Sequence, residues 1–207
     1  MAYLSYQLPQ FNFDQFLEWY PLQSEYCYEL HNGNIIQMPK PRGKHSQIAG
    51  FLMSELSFEI KKLNLPYFIP RECIIKVDEW SGYEPDVIVL DKAMIKNESR
   101  WEKESTVTCG NVVKLVIEVV SSNWSDDYAL KLEAYESLGI QEYWVVDYLG
   151  LGGRRFIGFP KQPTLTIYSC FEGQYQAVQF RQREPVQSPN FPSLILTTQE
   201  IFQGAWA

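Results

Sequence analysis

Four pieces between Tyr83 and Tyr148 carry the strongest pattern in the chain. YEPDVIVL (83–90), KLVIEVVSS (114–122) and QEYWVVDY (141–148) are short β-branched and aromatic runs of strand length. DDYALKLEAYESLGI (126–140) instead repeats its apolar residues at helical spacing and ends at Gly139. The predicted order is therefore strand, strand, helix, strand. Two carboxylates break the apolar runs, Asp86 after Pro85 and Glu118 in the middle of the second strand. An unpaired carboxylate in a buried strand costs several kcal/mol, so each needs compensation, which a divalent cation would supply. On the helix, at about 100° per residue, Tyr128, Leu130, Ala134, Tyr135 and Leu138 share one side, and Asp127 and Lys131 fall within that arc. A lysine on a packed face needs an anionic partner or a route for its stem to water.

Upstream, residues 9–20 predict an amphipathic helix starting near Asn12 or Asp14, with Phe16, Leu17 and Tyr20 inward. Residues 24–38 read as a hairpin around Asn32-Gly33, a favoured two-residue turn, and His31 is assigned to the turn rather than to chemistry. Next comes a Pro/Gly loop with Lys40, Arg42 and Lys44, which either holds phosphate or is simply solvated. It leads into a helix over 46–63 that His45 or Ser46 could begin. Ile48, Phe51, Leu52, Leu56, Ile60 and Leu63 form its apolar face, and Glu55 and Glu59 project into the same face. Residues 66–78 predict a strand bent at Pro70, and 91–111 a polar surface insertion with a helical turn near 93–96.

Downstream, 150–160 (GLGGRRFIGFP) lacks phosphate-loop spacing and reads as a turn. A second hairpin turns at Glu172-Gly173, and 191–202 suggest a strand-like piece followed by one helical turn. No repeat or flexible linker divides the 207 residues, so a single domain is expected, with a core over about 25–150 and a β extension over 151–207.

Composition adjusts this picture in three ways. No apolar run approaches the ~20 residues of a membrane span, and the N-terminal stretch lacks a basic and an apolar signal region, so no membrane partner and a cytoplasmic location are expected. Cys27, Cys73, Cys109 and Cys170 lack paired zinc spacing and read as reduced thiols. A formal charge of −7 opposes long-range attraction to nucleic acid, unless bound metal and a local basic rim face the substrate. Ser121-Ser122 lacks a nucleophile elbow and a histidine base, which disfavours a serine hydrolase.

PDVIVL, VIEVVSS, the spacing of Asp127, Lys131 and Tyr135, GIQEYWVVD and the upstream YELHNGNIIQMPKPRGKHSQI together resemble the Uma-type family of restriction-endonuclease-like proteins. That family lies in the PD-(D/E)XK nuclease superfamily, and the resemblance spans about residues 25–150. It implies an α/β restriction-endonuclease-like fold, a mixed sheet flanked by helices with added N- and C-terminal hairpins. It also implies hydrolysis of DNA phosphodiester bonds, with Asp86, Glu118 and the Val119 carbonyl holding Mg²⁺ or Mn²⁺. Hard oxygen donors favour these ions over zinc. The superfamily's lysine stands two residues after the second acid, where this chain has Val120. The resemblance therefore implies a migrated lysine, Lys131, placing water or phosphate from the helix. Glu55 is the candidate for the acid that the superfamily often carries on its first helix, and a homodimer is the expected assembly. The alternative is a catalytically inactive relative that keeps the fold as a binding or assembly module.

Overall fold

The computed structural model describes residues 10–21, 23–41 and 43–204; Pro9 of the first expected helix and Arg42 of the cationic loop lie outside them. Helix α1 (Phe13–Trp19) starts where Asn12 accepts the Gln15 N–H and the Gln15 side chain answers back, a capping box that satisfies two otherwise unpaired donors. The hairpin of β1 (Tyr26–His31) and β2 (Asn34–Pro39) turns through Asn32 at φ +49° and Gly33 at φ +81°. Both left-handed values are those of the turn expected for Asn-Gly.

Helix α2 (Gly43–Lys62) begins earlier than the expected 46, so His45 lies in its first turn rather than at its cap. The single strand expected over 66–78 is two strands in different sheets, β3 (Tyr67–Phe68) and β4 (Ile74–Lys76). Pro70 lies between them, and its missing N–H cannot continue a ladder. Then follow β5 (Gly82–Tyr83), β6 (Val87–Asp91), α3 (Trp101–Glu104), β7 (Thr106–Val107) and β8 (Val113–Val119). The insertion before β8 is thus partly ordered, with a 3₁₀ turn at Met94–Asn97.

A π-helical turn, Asp126–Leu130, runs directly into α4 (Lys131–Ser137). Gly139 at φ +72° ends it, with the Ile140 N–H on the Tyr135 carbonyl at 3.0 Å and the Gly139 N–H on the Glu136 carbonyl at 2.9 Å. Strand β9 (Glu142–Asp147) returns parallel to β8. The stretch read as a turn holds one helical turn, α5 (Arg154–Ile157), and β10 (Thr164–Phe171) and β11 (Gln174–Phe180) form the second hairpin. The strand-like piece expected at 191–196 forms no strand. Its Phe191, Leu194 and Leu196 instead pack into the core, and Thr197 caps α6 (Thr198–Gln203).

Six strands make one sheet in the order β11-β10-β9-β8-β6-β3, parallel only between β8 and β9, and five make a second, β2-β1-β5-β4-β7. Period-2 alternation divides the six-stranded sheet between two cores. Val87, Val89, Leu115, Ile117 and Val119 pack toward α2, with Ile48, Leu52 and Leu56. Ile88, Leu90, Val116, Tyr143 and Val145 pack on the opposite face, with Tyr128, Ala134 and Tyr135 of the helical segment over it. The mixed α/β class expected from the sequence is the observed one.

Gly110 sets the spacing between the entry to β8 and the end of α4. A Cβ there would stand 2.0 Å from the Leu138 carbonyl oxygen, and backbone cannot swing aside as a side chain can. Gly110→Ala is therefore expected to destabilise the protein by about 2–3 kcal/mol, the upper part of the range for overpacking, read as a lower urea midpoint at unchanged m-value.

Candidate active site

The β6–β8 ladder brings the two strand acids together. Val87 faces Ile117 in antiparallel register, so one step further Asp86 comes opposite Glu118, both at the edge of the face that α4 covers. Asp86 lies just outside β6 rather than within it. Its Oδ2 accepts the Val119 N–H at 2.8 Å and stands 3.3 Å from the Nε2 of His45. Burial alone would lower the His45 pKa, but the Asp86 carboxylate outweighs it and the net shift is upward. The other ring nitrogen of His45, Nδ1, is buried without a hydrogen-bond partner.

Glu118 is buried on the same face and engaged by two donors. The Lys131 ammonium and the Tyr135 hydroxyl both donate to its Oε1, each at 3.0 Å. Lys131 reaches it from the first turn of α4, where its backbone N–H bonds to the Asp126 carbonyl five residues back. Such π turns recur at functional sites because they re-aim the side chains that follow. The same ammonium stands 2.9 Å from Glu29 Oε1 and 3.7 Å from Asp127 Oδ1. Lys131 is only 5% exposed and Glu29 1%, so one cation is shared by three carboxylates almost out of water.

The chemistry of each group follows from that sharing. Burial would strip the proton from Lys131, but Glu118, Glu29 and Asp127 raise its pKa well above the ordinary value, so it stays charged. Burial raises Glu118 strongly; Lys131 opposes this, while Asp127, Asp86 and Glu29 add to it. Burial also pushes Asp127 up to about 7, against the pull of Lys131. Glu29 moves the other way: burial would raise it, but Lys131 and the His31 ring, whose Nε2 is 2.8 Å from Glu29 Oε2, hold it below the usual range. His31 is thus at the turn, as read from the sequence, with its ring on a cluster acid.

These groups open into a cavity of about 680 Å³ whose walls include Cys27, Lys40, Glu84, Ser121, Asn123 and Tyr148. Burial pushes the Cys27 thiol up to about 11, so it is no nucleophile at neutral pH. Asp86, Glu118, Val119 and Lys131 all line the cavity; Glu55 does not, although it lies half-buried in α2. Glu59 is also turned away, bonded to Ser193 and Lys62. Sequence reasoning missed Glu29 as a site residue. The available signal was that Glu29 and His31, two apart, share one strand face within the YELH run.

Among the described residues no three His, Cys, Asp or Glu side chains form a ready metal cage. Magnesium, however, keeps several waters and binds through one or two carboxylates. Glu29, Asp86, Glu118 and Asp127 outnumber the cations beside them, and Asp127 retains a proton up to about pH 7, a charge excess that a cation would relieve. The carboxylate oxygens of Asp86 and Glu118 therefore suit a hard divalent ion.

The mixed α/β fold and a matching family model together place the chain among restriction-endonuclease-like proteins. The Uma2 family model, described as "Putative restriction endonuclease", matches residues 13–199, and the chain belongs to that family. Among solved structures, it is similar to a "putative nuclease belonging to DUF820" from Anabaena variabilis. Identity to that protein is 23%, over 93% of this chain and 98% of the other, with a TM-score of 0.70, which shows a shared fold. No curated protein matches the sequence.

Two outcomes follow for the shared ammonium. Lys131→Ala is expected to cost about 3–5 kcal/mol in urea unfolding, because it leaves buried carboxylates without their counter-charge. Asp127 has a folded-state pKa of about 7 against an ordinary 3.8, so the folded state binds its proton more tightly. Through this group stability is greatest below pH 4 and falls as pH rises toward about 7, by at most roughly 4 kcal/mol at about 1.36 kcal/mol per unit. Asp127→Asn should remove that component, so the difference between variant and wild-type stability, measured in metal-free buffer, should change between pH 4 and 7 and level off above it.

Proposed function

We propose that this chain is a metal-dependent endonuclease that hydrolyses DNA phosphodiester bonds. Family membership and the nuclease-fold neighbour support a nuclease-like function. The carrying observation is the convergence of Asp86, Glu118 and Lys131 on one cavity, with the ammonium 3.0 Å from Glu118. In this reading Asp86, Glu118 and the Val119 carbonyl hold Mg²⁺ or Mn²⁺. Such an ion lowers the pKa of water and neutralises charge developing on phosphate.

The chain's own residues divide the remaining work. Lys131 stays protonated and holds Glu118, Glu29 and Asp127 in fixed relation, so that the cavity's negative charge is presented in one orientation. It can orient water or phosphate by charge and hydrogen bonding, but it cannot accept a proton, since its pKa lies well above neutrality. His45 positions Asp86 in the cavity wall, together with the Val119 N–H.

One observation favours the second reading, a catalytically inactive binding module. Lys131 already has three carboxylate partners, and the usual lysine position holds Val120, which is fully buried in the core. Titration calorimetry with Mn²⁺ separates the two. The nuclease reading expects binding that Asp86→Asn weakens at least tenfold and Glu118→Gln likewise, in variants whose circular dichroism matches the wild type. Plasmid nicking should fall in parallel. Nicking that persists in both variants sinks the assignment, and absent Mn²⁺ binding with no nicking supports the module.

A further inference from the structure

The net charge of −7 leaves open which surface could meet a polyanion, and the segment that follows β9 offers cations without acids. Residues 148–171 contain three cations, Arg154, Arg155 and Lys161, and no Asp or Glu, in a chain with 25 acids among 207 residues. All three are exposed, and among the described residues none of them is in an ion pair. Arg181 joins them from the end of β11, donating to the Ile157 carbonyl at 2.9 Å and to Thr164 at 3.1 Å. The nearby Glu184 carboxylate takes the Arg181 backbone N–H instead, at 2.6 Å.

Aromatic rings are interleaved with these cations. Phe159 is 75% exposed, with the Arg154 guanidinium 4.5 Å from its centroid. Lys161 stands 5.7 Å from the Trp124 ring, and Trp124 in turn packs near Phe156 at 6.4 Å. The segment is anchored, because Phe156 stacks on buried Tyr128 at 5.1 Å and Ile157 is buried. It also adjoins the candidate site at two points: Tyr148, its first residue, lines the cavity, and Trp124, under Lys161, lies in sequence between the lining residues Asn123 and Asp126.

We infer that this basic and aromatic apron, built from Arg154, Arg155, Phe159, Lys161 and Arg181, binds a single nucleic-acid strand and leads it past the cavity. The inference deepens the nuclease reading and rests on it for the class of substrate. Three exposed cations in no ion pair, with half-buried Arg181 beside them, can track a few phosphates of one backbone, and an exposed ring offers a stacking platform that only an unpaired base can use. A paired duplex keeps its bases stacked on one another and gives Phe159 nothing to receive.

The test is fluorescence anisotropy of a labelled 12-nucleotide oligothymidylate with the full chain in EDTA at 50 mM salt, where no metal-dependent cutting occurs. Wild type should bind the single strand more tightly than a 12-base-pair duplex. R154A/R155A should weaken binding at least tenfold and reduce the magnitude of the slope of log K against log salt by about 1.4, at about 0.7 per phosphate contact on single strands. Phe159→Ala should weaken binding about fivefold or more with the salt slope unchanged. Absence of strand binding by wild type, tighter binding of the duplex, or wild-type affinity in both apron variants would each overturn the inference. Loss of Mn²⁺ binding alone would count against the nuclease reading and leave the apron standing.

Discussion

The site depends on one ammonium held among three carboxylates. Lys131 draws together Glu29 from the five-stranded sheet, Glu118 from the six-stranded sheet and Asp127 from the π turn, parts of the chain that share no ladder. Taking four ionisable groups out of water is expensive, and their mutual attraction repays it only while every partner is in place. Such a cluster adds little to net stability compared with an apolar core of the same volume. It does fix geometry, since each displacement exposes a buried charge. Tyr135, on Glu118, and His31, on Glu29, extend the same network outward and occupy lone pairs that would otherwise be unsatisfied.

The sharing also separates the acids by task. Glu29 is held ionised by Lys131 and His31, whereas Glu118 and Asp127 are pushed toward retaining a proton. Asp86 lines the same cavity but stands outside the Lys131 clamp, fixed by the Val119 N–H and the His45 ring. The clamped acids thus set the field, while Asp86 is held by groups other than the ammonium. An incoming cation would find an excess of carboxylate, and an incoming phosphate would find the same excess as a barrier. This asymmetry is why a nuclease reading needs metal, and why the opposing surface charge has to come from somewhere other than the cavity.

Much of this was legible in the sequence because polar residues interrupt apolar patterns. Asp86 and Glu118 break strand-length runs, and Lys131 lies on a packed helical arc, so each announces a cost needing compensation. Glu29 gave a weaker sign, since alternation with Tyr28 and Leu30 on a hairpin strand is also the pattern of a solvent-facing position; its burial comes from tertiary packing around the Lys131 cluster. Glu55 illustrates the opposite case. Helical periodicity correctly puts it near the apolar side of α2, but α2 packs on the Ile117 and Val119 face of the sheet, and Glu118 points from the other. Of α2, it is His45 in the first turn that lines the cavity. The π turn was not legible either, because an extra residue per turn changes which side chains share a face without changing the composition of the helix.

Val120 shows how the fold keeps the position of a charge while moving its source. Just past β8 it alternates with Val119 and faces the core beneath α4, where Tyr135 and Ile140 also pack. A lysine at 120 would start on the same sheet face as Glu118, whereas one at 131 starts a helix layer above and descends onto it. A flexible four-carbon stem can span either path, and the ammonium ends within 3.0 Å of Glu118. The route differs in what it leaves behind: an apolar residue on the strand completes the core, while the helical lysine gains Glu29 and Asp127 as further partners. The cost of that gain is freedom, since an ammonium already bonded on several sides has fewer donors to offer a substrate. The same change that preserves the charge at this site therefore narrows the chemistry the charge can perform.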